Sequence, residues 1–137
     1  ALATNGMKLF FTQVFHDAED YIGLLAEARA AGITLPIMPG ILPYADLRRL
    51  DRLEELSGVP TPEHLHRHLD LPDPDQRRKV GARCTLDLAT AVLDGGAPGI
   101  HLYTFNELHA VDEVSALVRA RPALDAPRPL QGAARAT

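Results

Sequence analysis

Three short apolar runs, separated by long stretches with helical periodicity, constrain this chain more than any other feature. They are Leu9-Phe10-Phe11-Thr12-Gln13-Val14-Phe15, Leu35-Pro36-Ile37-Met38-Pro39-Gly40-Ile41 and Gly99-Ile100-His101-Leu102-Tyr103-Thr104-Phe105. Each is nearly continuous in apolar character, which predicts strands buried on both faces, as in a parallel sheet. Strands that alternate with helices pair in parallel through right-handed crossovers. The expected order is β-α-β-α-α-α-β-α.

The intervening helices carry their own start and stop signals. Asp17 is placed to cap a helix with Asp20 in its first turn, Tyr21, Leu24, Leu25 and Ala28 on one face, and Gly32 at its end. Leu47, Leu50, Leu53 and Leu56 mark one face of a second helix that stops at Gly58. Thr61-Pro62-Glu63 reads as a cap, a proline at the first helical position and an acid in the first turn, opening a short helix to about Leu69. Asp73-Pro74-Asp75-Gln76 is the strongest start, with Gln76 able to complete a capping box. The helix it opens is expected to bury Val80, Cys84, Leu88, Ala91 and Val92, and to end at Gly95-Gly96. Asn106 is a candidate cap for the last helix, with Val111, Val114, Leu117 and Val118 on one side.

Three parallel strands leave open sheet edges that must be paired or covered. The 137 residues suffice for one modest domain, but an eight-stranded βα barrel needs roughly 200 or more. The expectation is a partial (βα)8 barrel that relies on further strands from the same or another chain. A hydrophobic share of 46% is that of a globular chain. The net charge of -4 gives no basic field for nucleic acid, and no apolar run approaches the ~20 residues of a membrane span. One cysteine, Cys84, excludes an internal disulfide and fits a reducing compartment. With no basic segment at the start to suggest a secretory signal, the expected location is cytoplasmic. From Arg119 onward alanine, proline and arginine dominate, so residues 120–137 are expected to form a disordered tail.

In a βα barrel the working face lies at the C-terminal ends of the strands. Gln13 ends the first strand inside an apolar run, so a buried amide there is either hydrogen-bonded internally or aimed at a polar ligand edge. Gly40, between Pro39 and Ile41-Leu42-Pro43, permits either close backbone approach or a positive φ, while the prolines stiffen the turn. Tyr103 ends the third strand with an aromatic face and a polar tip. His101 shares its strand face and is expected to be a hydrogen-bonded core histidine.

These runs resemble methylenetetrahydrofolate reductases. The segments Phe11-Thr12-Gln13-Val14-Phe15-His16-Asp17, Pro36-Ile37-Met38-Pro39-Gly40-Ile41-Leu42-Pro43 and Gly99-Ile100-His101-Leu102-Tyr103-Thr104-Phe105-Asn106 match that family's T-Q-x-F-x-D, P-I-x-P-G-I-x-P and G-x-H-x-Y-T-x-N patterns in order and approximate spacing. Gly58-Val59-Pro60 and Arg78 with Gly81 fit the same template, so the likeness runs from about Phe10 to Val118. It implies a (βα)8 barrel holding FAD, which passes hydride from NAD(P)H to methylenetetrahydrofolate and yields methyltetrahydrofolate. It aligns the chain with the last three βα units, making residues 1–119 a C-terminal barrel portion. The resemblance gives Gln13 the role of hydrogen-bonding the folate pterin and Tyr103 that of an aromatic near the substrate or nicotinamide. Leu53 falls where some members set a phenylalanine against the folate aminobenzoate. It places no catalytic acid in this chain and puts most FAD contacts upstream. Implied partners are the folate, the N-terminal half of the barrel and a possible second copy.

The chain departs from the pattern in places. Glu107 stands where members often carry an arginine that meets the folate glutamate, His16 replaces a usual aromatic, and the approach from Leu2 to Met7 matches poorly. These departures raise an alternative, a truncated or diverged homologue without redox activity that acts as a folate-binding or interaction module. His64 and His68 are four apart, but two histidines do not fill a metal site and a solvated face is expected. Arg48-Arg49 and Arg77-Arg78-Lys79 are read as solvated helix faces, and Cys84 as a small buried hydrophobe.

Overall fold

The computed structural model describes residues 6, 8–104 and 108–120. Among them lies a three-stranded parallel sheet, β1 (Phe10–Val14), β2 (Ile37–Ile41) and β3 (His101–Leu102), in the order β1-β2-β3. The helices are α1 (Ala18–Ala30), α2 (Leu47–Ser57), α3 (Glu63–Leu69), α4 (Pro74–Asp94) and α5 (Leu108–Ala120). The element order is the one the apolar runs predict. Residues 105–107, with Asn106 and Glu107, and 121–137, most of the expected tail, lie outside the described residues, as do 1–5 and 7.

Local chemistry sets most helix ends. The Asp17 carboxylate accepts from the Glu19 N–H, Asp73 accepts from Asp75 ahead of Pro74, and Asp46 accepts from Arg49 to start α2. Such caps satisfy backbone donors that a helix leaves orphaned. Gly58 closes α2 with φ 70°, a left-handed conformation that favours glycine. Thr61 does not cap α3 as expected. Pro62 takes that position without a side-chain bond, and the Thr61 N–H donates to Glu54 Oε2 instead.

From the sheet, Val14, Ile37 and Ile41 join a core that includes Tyr21, Leu50, Leu69, Leu88 and Val92. Tyr21, 1% exposed, donates its hydroxyl to the Ile37 carbonyl at 2.8 Å. The expectation of strands buried on both faces fails for β1, where Phe11 and Gln13 are exposed.

Two helical faces are also corrected. Leu24 and Leu56 are exposed, while Ile22 packs against the core. On α4 the buried positions are Gly81, Thr85, Leu88, Ala89, Val92 and Leu93, with Val80 and Cys84 only partly covered. Small residues lead this face because the loop after β2 comes very close. A Cβ on Gly81 would collide with the Tyr44 carbonyl oxygen, and Thr85 Oγ1 accepts the Tyr44 N–H while donating to the Gly81 carbonyl. Arg77 is not simply solvated, since its guanidinium donates twice to the Leu71 carbonyl.

Candidate functional site

Register controls the site. Phe10 pairs with Ile37, Phe11 with Met38 and Val14 with Gly40, so β1 carries one residue more than β2 between Phe11 and Val14. This is the pattern of a bulge, a device that re-aims side chains next to sites. It lies opposite Pro39, which has no N–H to give a ladder. Thr12 spans the irregularity. Its Oγ1 accepts the Gly40 N–H at 2.8 Å and donates to the Gln13 carbonyl at 2.8 Å.

Tyr103 crosses the sheet here. It leaves the end of β3, its backbone N–H on the Ile41 carbonyl, and its hydroxyl reaches β1 to donate to the Thr12 carbonyl at 3.1 Å. The ring passes over β2 at Gly40, where a Cβ would stand 2.6 Å from Tyr103 Cε2 and 2.8 Å from Thr12 O. Of the two readings open for Gly40, close approach is the one realised, and Gly40 is not among the positive-φ glycines.

The aromatic surface continues down the sheet. His101 meets the Phe11 ring at 4.8 Å and the Tyr103 ring at 4.7 Å, the latter edge-on at 89°. His101 is half-buried and held by rings, in place of the expected hydrogen-bonded core histidine. Gln13 is exposed rather than buried, with Oε1 accepting the Val14 N–H at 3.2 Å. That bond uses one lone pair, and among the described residues the amide NH2 meets no protein acceptor. Leu53, 9% exposed, lies within the core cluster. Gln13 and Tyr103 are thus joined through Thr12, whereas Leu53 belongs to the packing beneath α2.

A second polar pair stands just beyond β1. His16 Nδ1 lies 2.9 Å from Tyr44 Oη, and His16 Nε2 is buried with no hydrogen-bond partner among the described residues. Burial holds the His16 pKa below its ordinary value, against the opposing field of Glu54. Burial likewise pushes the Tyr44 phenol well above its usual range, so it stays a neutral hydroxyl. The Cys84 thiol is also raised by burial, with Asp87 adding to the effect; it is not an activated nucleophile. His64 and His68 contact one another edge-on, and among the described residues no three His, Cys, Asp or Glu side chains gather to hold a metal ion.

Sequence reasoning singled out Gln13, Gly40 and Tyr103 but missed Thr12, whose role depends on the bulge. It also missed the His16–Tyr44 pair. The available signal was a polar group two residues past β1 and another three residues past β2.

The result is an α/β protein with an amide near the end of β1 and a tyrosine just past β3, at the C-terminal ends of parallel strands, where such folds take ligands. The sequence model of the methylenetetrahydrofolate reductase family matches residues 3–118. A probable methylenetetrahydrofolate reductase (NADPH) of Caenorhabditis elegans is 34% identical over 112 residues, covering 80% of this chain and 17% of that protein. A 5,10-methylenetetrahydrofolate reductase of Escherichia coli is 28% identical over 121 residues, covering 87% of this chain and 41% of that protein. A methylenetetrahydrofolate reductase (NADH) 1 of Zea mays is 29% identical, covering 74% and 17%. The chain belongs to the methylenetetrahydrofolate reductase family. It spans less than half the length of each of these relatives.

Proposed function

We propose that this chain forms the folate-facing wall of an enzyme that reduces 5,10-methylenetetrahydrofolate to 5-methyltetrahydrofolate with NAD(P)H. The observation that carries the reading is the Gln13 carboxamide, exposed near the end of β1 and next in the chain to the Thr12 carbonyl that the half-buried Tyr103 holds, in a chain of this family. A pterin is flat, apolar on its faces and rich in donors and acceptors at its edge. A carboxamide offers both a donor and an acceptor to such an edge, and an aromatic row offers the faces a surface. The three βα units stand as the C-terminal part of a (βα)8 barrel, with the other strands supplied by the same or another chain.

The strand-end residues do not fit the phosphates of FAD. The phosphates of a dinucleotide need cations or a helix N-terminus, and Phe11, Thr12, Gln13, Met38, Gly40, His101 and Tyr103 include no lysine or arginine. A flavin whose phosphates are held elsewhere in the enzyme would supply the hydride chemistry, its ring lying against the bound pterin. The part played by this chain is to bind and orient the pterin. Leu53, already covered within the core, would support α2 and offer the folate at most an apolar edge.

The test uses the natural full-length protein. NAD(P)H-dependent reduction of methylenetetrahydrofolate is expected, and Gln13→Ala should raise the Kd for methyltetrahydrofolate about threefold to tenfold, as loss of a neutral hydrogen bond does. Absence of folate binding, or an unchanged Kd in the variant, overturns the assignment of Gln13. Folate binding without reduction would favour the alternative of a homologue lacking redox activity.

A further inference from the structure

We propose that Tyr103 acts on folate through Thr12: its hydroxyl, passing over Gly40, clasps the bulge that sets the direction of the Gln13 carboxamide. Tyr103 and Thr12 are then positioning residues. The inference rests on the reading of Gln13 as the pterin-binding amide, and it deepens that reading.

Gln13 is exposed, so packing does little to fix it. Its backbone sits in an irregular stretch where ladder bonding between β1 and β2 is interrupted. An exposed side chain on a bulged strand has several rotamers open to it, and each ordered torsion is lost on binding unless it is fixed beforehand. Three bonds converge on this stretch. The Tyr103 hydroxyl holds the Thr12 carbonyl, the carbonyl of the peptide that leads into Gln13. Thr12 Oγ1 holds the Gln13 carbonyl, the peptide that leads out. The same Oγ1 is tied to β2 by the Gly40 N–H. Both peptide planes flanking the Gln13 Cα are therefore anchored, one from β3 and one from β2. Gln13 Oε1 closes the set by accepting the Val14 N–H, which leaves its second lone pair and, among the described residues, the amide NH2 open to a ligand.

The consequences for the side chains differ. The Tyr103 ring contributes surface, but its polar tip is already committed to a main-chain carbonyl. Removing only the hydroxyl should loosen Gln13 without changing the aromatic row. Thr12 must supply both a donor and an acceptor, which serine can do and valine cannot.

A double-mutant cycle tests this in the natural full-length protein, read as the Kd for methyltetrahydrofolate with melting temperature measured alongside. Gln13→Ala and Tyr103→Phe should each weaken binding, by about threefold to tenfold for the first and less for the second. The double variant should bind no more weakly than Gln13→Ala alone, because the clasp has nothing left to position. Multiplying losses would show that the hydroxyl acts independently of Gln13, and would overturn the clasp while leaving the Gln13 reading intact. No effect of Gln13→Ala would remove that reading and the clasp with it. Should Tyr103→Phe unfold, Thr12→Ser against Thr12→Val decides: serine is expected to keep most of the affinity and valine to lose it. Equal losses in the two would sink the proposal.

Discussion

The Tyr44 N–H and Thr85 Oγ1 form a 2.9 Å hydrogen bond between the loop after β2 and the middle of α4. The same oxygen donates to the Gly81 carbonyl at 2.8 Å, and Thr85 is 2% exposed. One hydroxyl therefore satisfies a buried backbone donor and fixes the loop against its helix.

Thr85→Val should leave that N–H buried and unpaired, a loss of about 1–3 kcal/mol. Thr85→Ser keeps the bonds and gives up one methyl group, so it should cost less. Denaturant melts of the two variants check the order; a valine variant as stable as the serine one would show that the loop re-satisfies its N–H elsewhere.

Gly81→Ala would ordinarily help a helix by about 0.5–1 kcal/mol. Here the added Cβ meets the Tyr44 carbonyl oxygen, a main-chain atom with no rotamer to yield. The expected outcome is net destabilisation, visible as a lower melting temperature.

The pH dependence follows from His16. Burial lowers its pKa in the folded protein relative to the ordinary value of 6.5. The unfolded chain therefore binds the proton first as pH falls, and stability is lost progressively below about 6.5. Above that value both states are neutral and the group contributes no slope. His16→Gln should flatten the decline in melting temperature between pH 7 and 5, with Glu54, Asp20 and His64 unchanged. An identical slope in the variant would assign the decline to other groups.

The leucines of α2 should respond unequally. Leu50→Ala removes a side chain that is 1% exposed, an expected loss of about 2–5 kcal/mol. Leu56→Gln alters one that is 67% exposed and should stay within about 0.5 kcal/mol. Thermal melts of both separate the two positions.

Those leucines also show what a sequence can and cannot disclose. Asp17, Asp73 and Gly58 were readable because caps are decided by residues adjacent in the chain. The strands were readable from their continuous apolar character. A helix turns about 100° per residue, so a spacing of three drifts by about 60° at each step, and Leu56 ends opposite Leu47. On α4 the buried face passes through Gly81, Thr85 and Ala89 because a loop leans on it, and no periodicity in the helix itself announces that partner. At the candidate site, Gln13 and Tyr103 were legible as polar groups at strand ends. Thr12 was not, because its place in the proposed clasp arises from a bulge opposite Pro39 and from a tyrosine just beyond β3. The exposure of Gln13 was hidden too, since an apolar run reads the same whether or not both faces are covered.

The hydrogen bond between Tyr103 and Thr12 joins residues 91 positions apart. A chain emerging from the ribosome presents Gln13 long before Tyr103 exists. β1 and β2 can pair in that interval, but the bulge beside Gln13 lacks its third anchor until nearly the whole matched region has been made. The amide that the sequence places first is thus among the last features to acquire its final geometry, and premature termination anywhere before Tyr103 would yield a sheet with that corner untied.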